Sequence, residues 1–149
     1  ARLLALHRPD DVRQVISMGS PIKVEDPDAN LSEAVRRIAQ MAGLQRGRRG
    51  HDLTQVPVPS TAIFSRHDGV VAAATCEQPT GPTSENVEVH GSHCGMGHNP
   101  TVLWVVADRL AQPDGHWQPF EPPALLRHVF PDADEQSGPI APPAAAARG

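Results

Sequence analysis

The chain alternates short apolar runs with long polar, glycine- and proline-rich connections, and the apolar runs follow two different periods. Residues 2–8 have the pattern of the last turns of a helix, ended by Pro9-Asp10-Asp11. Residues 12–18 predict a short strand that becomes apolar towards its end and stops at Gly19-Ser20-Pro21. Leu31, Ala34, Val35, Ile38, Met41 and Ala42 then recur on one helical face, with Asn30 and Glu33 as a capping box and Gly43 as the stop. A Gly-, Arg- and Pro-rich connection covers 43–60. A compact apolar strand at 61–65 runs into His67-Asp68-Gly69, and a short apolar run at 70–75 follows. Pro79, Gly81 and Pro82 mark 78–86 as a loop, 87–90 alternate as a strand, and 91–97 form a glycine-rich turn. Asn99 caps a helix from Pro100 to about Ala111, with Val102, Leu103, Val105, Val106 and Leu110 as its apolar face. A short helix at 122–130 is the last regular segment. Residues 132–149, acidic and then Pro/Ala-rich, are expected to be disordered.

Strands at 12–18, 61–65 and 87–90 separated by helices predict an α/β fold with about three parallel strands and flanking helices. The 149 residues suffice for one domain with a core, which must rest on Val, Ile, Leu and Ala because aromatics make up only 3%. The formal net charge is −4 and Arg46, Arg48 and Arg49 form the only basic cluster, so a nucleic-acid partner is not expected. No stretch approaches the ~18 apolar residues of a membrane span. Cys76 and Cys94 are too few for a disulfide framework. That usage leans towards the cytoplasm, and the compartment otherwise stays open.

Two strands run into chemistry. The strand at 61–65 leads to Asp68, and the strand at 87–90 leads to His93. Catalytic side chains of open parallel sheets lie beyond the carboxyl ends of the strands. A carboxylate followed by a histidine, in that order, fits the last two members of a Ser-His-Asp triad. The imidazole would take the proton of a serine hydroxyl and return it to the leaving group, while the carboxylate fixes its tautomer. Gly69 and Gly91 would permit the turns that aim the two side chains.

The segments VISMGSPI (15–22), VPVPSTAIFSRHDGVVA (56–72) and ENVEVHGSHCGMGHNPTVLWVVADRLAQPDGHWQPF (85–120) resemble the C-terminal part of bacterial α/β-hydrolases of the lipase/esterase type, similar to the PGAP-type lipases. The resemblance covers most of residues 1–120. It implies that Asp68 is the triad acid and His93 the triad histidine, that 31–55 occupy the place of a cap, and that no cofactor or metal is needed. The implied substrate of the full-length protein is a small-molecule or lipid ester. Such enzymes carry a G-x-S-x-G nucleophile elbow upstream of the VISMGSP-like strand, and this chain has none. Ser17, Ser20 and Ser65 are poor replacements; Pro21 after Ser20 suits a strand-end turn and not an elbow. The expectation is a fragment of a serine hydrolase, inactive alone, in which the strand at 12–18 is a sheet edge free to self-associate.

Other readings stay open. Asp68-Gly69 is a common turn dipeptide, so a non-catalytic α/β binding or interaction domain is the alternative. His90, His93, Cys94 and His98 cluster, but their spacing fits no zinc pattern. Cys76 and Cys94 are either bridged or two buried free thiols. His116, Trp117 and Phe120 are expected to anchor the end of the chain, and Met18, Met41 and Met96 to fill the core or loops.

Overall fold

Short runs of β-branched and apolar residues, each stopped by glycine or proline, can bury themselves only as neighbouring strands. In the computed structural model, which describes residues 1–22 and 53–131, they form a three-stranded parallel sheet in the order β1 (Val15–Met18), β2 (Ser60–Phe64), β3 (Ser84–Glu88). Val15 lies opposite Ser60, and Ser60 opposite Ser84. The expected helix at 31–42, the arginine cluster and the 132–149 tail lie outside the described residues.

Helix α1 (Arg2–His7) and a 3₁₀ turn at Pro9–Asp11 precede β1. The first strand is shorter than the expected 12–18, because its pairing with β2 starts only at Val15, opposite Ser60. A short helix α2 (Ala73–Cys76) links β2 to β3, and the long helix α3 (Pro100–Ala111) follows β3. A 3₁₀ segment at Ala124–Val129 stands where a short helix was expected.

Alternation along the strands divides the core between two faces. On one face Ile63, Val87 and Val89 pack against Val102 and Val105 of α3, with Met96 and Phe130 closing the cluster. On the other face Val15 packs with Ala5 and Val58, Ala62 with Ile22 and Leu53, and Phe64 with Val71, Ala73 and Cys76. β2 lies between its neighbours and all five of its residues are buried, which is why its sequence is continuously apolar or small.

Two expectations need correction. The third strand begins at Ser84, inside the expected loop, because its polar residues are satisfied from within. Glu85 accepts from the Thr61 hydroxyl and from Arg109, and Asn86 exchanges hydrogen bonds with the Gln78 backbone. The apolar face of α3 is also narrower than its composition suggests. Leu103, Trp104 and Leu110 are about half exposed, while Arg109 is 2% exposed and occupies the inward position. Among the described residues no helix is long and apolar enough to cross a membrane.

Candidate active site

The three strands end at one edge of the sheet, and their exit loops meet there. β2 continues into Ser65, whose hydroxyl accepts from the His67 N–H and whose carbonyl accepts from the Asp68 N–H at 3.3 Å. Gly69 then turns the chain with φ +72°, a left-handed conformation that glycine adopts without a Cβ clash. The turn folds the Val70 and Val71 N–H groups back onto Asp68 Oδ1, at 3.0 and 2.7 Å. Such an Asx-type closure occupies one carboxylate oxygen with local backbone and leaves the other free to point outward.

That second oxygen, Oδ2, lies 2.8 Å from Nδ1 of His93. The histidine is brought there by the loop after β3, and its own N–H donates to the Asp68 carbonyl at 3.1 Å. Two contacts, one through backbone and one through side chains, thus tie the loops together. The Asp68 side chain is 3% exposed and the His93 side chain 36%, so the pair is graded from a buried acid to an accessible imidazole. An ionised carboxylate only accepts, which places a proton on Nδ1 and leaves the Nε2 lone pair free to take another. An imidazole held in this way has the geometry that a general base requires.

The third strand end contributes space. Gly19, directly after β1, is buried with φ +51°, and its N–H donates to the Ile63 carbonyl. A Cβ built there would lie 3.1 Å from Asp68 Oδ2 and 3.2 Å from Met96 Sδ. Gly19 is the residue that sequence reasoning missed, because a glycine after a strand looks like an ordinary stop. Gly91 has a different part from the one anticipated. It needs no positive φ, but a Cβ there would sit 2.9 Å from Asn99 Nδ2, which donates to the His90 carbonyl. The His93 loop is thereby fastened to the N-cap of α3, where Asn99 Oδ1 accepts from the Thr101 N–H.

Cys76 and Cys94 are both free thiols, Cys76 buried and Cys94 exposed, so neither the bridge nor a pair of buried thiols describes them. Burial pushes the Cys76 thiol up to about 11, opposed by its hydrogen bond with Thr75 and reinforced by the charges of Asp68 and Glu77. It is a poor nucleophile for that reason. The Ser65 hydroxyl is engaged by His67. Among the described residues no hydroxyl or thiol hydrogen-bonds His93, and no set of three His, Cys, Asp or Glu side chains is arranged to hold a metal ion. A cleft of about 540 Å³, lined by Asp10, Arg13, Gln112 and Trp117, opens at the amino-terminal end of the strands, away from the pair. Its residues hold no carboxylate–imidazole pair comparable to Asp68 and His93.

Compared with known proteins, the chain matches no family model, no curated protein and no solved structure.

Proposed function

We propose that this chain carries the acid and the base of a serine hydrolase of the α/β-hydrolase type, acting on carboxylic esters. The observation that carries the reading is the 2.8 Å contact between buried Asp68 Oδ2 and His93 Nδ1, with Asp68 Oδ1 occupied by two backbone N–H groups. A turn aspartate serving only its loop has no need of a second oxygen held against an imidazole. The parallel sheet supports the same reading, since acid and base follow adjacent strands in the order such triads use.

In this mechanism Nε2 of His93 takes the proton of a serine hydroxyl as it attacks the ester carbonyl. It then returns the proton to the departing alcohol. Asp68 holds the tautomer and stabilises the imidazolium between those events. The serine is to be supplied from outside these 149 residues, for the chain has no G-x-S-x-G. The test is to express the chain joined to its upstream coding sequence and to assay it on a panel of esters and with a fluorophosphonate probe. Labelling and hydrolysis, with kcat lowered about 10⁴-fold in Asp68→Asn and about 10⁶-fold in His93→Ala, are expected. Hydrolysis that survives both substitutions would refute the reading. So would upstream DNA that holds a stop codon and no in-frame nucleophile elbow. The 149-residue chain alone should not label; stoichiometric labelling would place the nucleophile among its own serines.

A further inference from the structure

The strand exits carry two more imidazoles, which the Asp68–His93 pair does not use. β2 ends at Phe64, opposite Glu88 of β3, and the pairing runs one residue further, with the Val89 N–H donating to the Phe64 carbonyl. His67 and His90 follow on the two exit segments, with ring centroids 5.9 Å apart and ring planes at 49°. Both residues are exposed. In the sequence His90 stands beside His93, Cys94 and His98, at a spacing that closes no metal shell. The fold gives it a partner from another strand instead.

Both backbones are fixed while both rings are uncommitted. The His67 N–H donates to Oγ of buried Ser65, and the His90 carbonyl accepts from Asn99 Nδ2 at 2.6 Å. Among the described residues no hydrogen bond or ion pair engages either ring. A neutral imidazole in that state offers one nitrogen lone pair to a cation. An edge contact between rings accounts for their nearness and leaves both lone pairs unused. Arg66 and Glu88, on the same two segments, pair with each other at 3.2 Å, so Arg66 does not stand as an unbalanced charge against a bound ion.

An ion bound by two imidazoles lies in both ring planes. Planes at 49° intersect, whereas those of a parallel stack do not. Zinc–nitrogen bonds of about 2.0–2.1 Å and a tetrahedral angle set two such centroids about 5 Å apart. The rings must therefore close by about 1 Å, a small swing about χ2, a torsion with broad wells. Among the described residues no third His, Cys, Asp or Glu joins them, so water completes the shell.

We propose that His67 and His90 chelate a divalent late transition ion, of the zinc, nickel and copper class that favours imidazole. The ion bridges the exit segments of β2 and β3 and so clamps the two loops that carry Asp68 and His93. The site stands apart from that pair and does not rest on the hydrolase reading. With only two protein ligands its affinity is modest and its binding reversible.

Zinc chloride titrated into the untagged, ¹⁵N-labelled 149-residue chain tests this, read by long-range ¹H–¹⁵N spectra of the imidazole rings. The ligating nitrogens of His67 and His90 are expected to shift together along one saturation curve, well ahead of exposed His98, His116 and His128. His67→Ala and His90→Ala are each expected to weaken binding about 10²-fold, because a chelate becomes a single ligand. Neither should change the melting temperature of the metal-free chain, since both rings are solvent-facing. Zinc is expected to raise the melting temperature of the native chain and of His98→Ala, but of neither of those two variants at the same concentration. Saturation of His67 and His90 no tighter than that of the other exposed histidines overturns the proposal. Binding undiminished by both substitutions also overturns it, and would move the ion to His93, Cys94 or His98.

Discussion

At Asp68 the two carboxylate oxygens divide the work: one builds the turn, the other orients the imidazole. The same closeness makes Gly19 critical. Gly19→Ala would force a left-handed alanine at φ +51° and press its methyl group against Asp68 Oδ2 and Met96. A left-handed non-glycine residue costs about 1–2 kcal/mol. Thermal melts should register that loss. The downfield ¹H resonance of His93 Nδ1–H should also shift or broaden, because the carboxylate must move. Gly97→Ala, with nothing near its added methyl group and no positive φ, should change neither. Cys76 gives a pH prediction. Its proton is held more tightly in the folded chain than in the unfolded one. The unfolded chain therefore releases it first, and stability should fall as pH rises from about 9 to about 11. Melting curves of the native chain against Cys76→Ala should diverge in that window. Asp68 and His93 were legible because turn chemistry and strand exits are local patterns. Gly19 was not, because what it makes room for is far away in the sequence.

Elements pose a different question, since each carries polar residues that composition alone would leave in solvent. Arg109 on α3 is the clearest case. Its Nη1 donates to Glu85 Oε1 at 2.8 Å, and its guanidinium lies 5.8 Å from the centroid of Phe120. Glu85 in turn accepts from the Thr61 hydroxyl and, at 2.6 Å, from the Phe120 N–H. One network thus joins two strands, the helix and the segment after it. The expected anchoring of the chain end is realised by Phe120, which also packs on Phe130 at 5.3 Å. Removing one member of a buried ion pair strands the other and costs about 3–5 kcal/mol. Arg109→Met leaves Glu85 buried without a cation and should lose stability on that scale in urea denaturation, and Glu85→Ala less, because Arg109 keeps the Asp108 carboxylate and the Gln118 carbonyl. The hidden partnership also explains one misplaced boundary and one misjudged helix face. Ser84, Glu85 and Asn86 interrupt the strand alternation, and Arg109 interrupts the apolar stripe of α3. Asn99, in contrast, was plain from sequence, since an Asn-Pro ahead of an apolar run states its own role. Asn99→Ala should cost about 1 kcal/mol through the cap and loosen the His93 loop it ties down.

For the molecule as a whole, the layered α/β arrangement followed from the order of periods along the chain, which folds into a parallel sheet with flanking helices. Consecutive strands are neighbours in the sheet. Sidedness did not follow, as it depends on which residues each helix conceals. The register joins distant positions unequally. Val15 meets Ser60 across a much longer stretch of chain than the one that separates Ser60 from Ser84. Closing the longer loop forfeits more chain entropy. Refolding should therefore assemble β2 with β3 first and add β1 afterwards, and pulsed hydrogen exchange should show amides shared by β2 and β3 protected ahead of those in β1. Asp68 and His93 ride on the early pair, so a partly folded chain would already hold its carboxylate against the imidazole while the seat beside Gly19 was still being made.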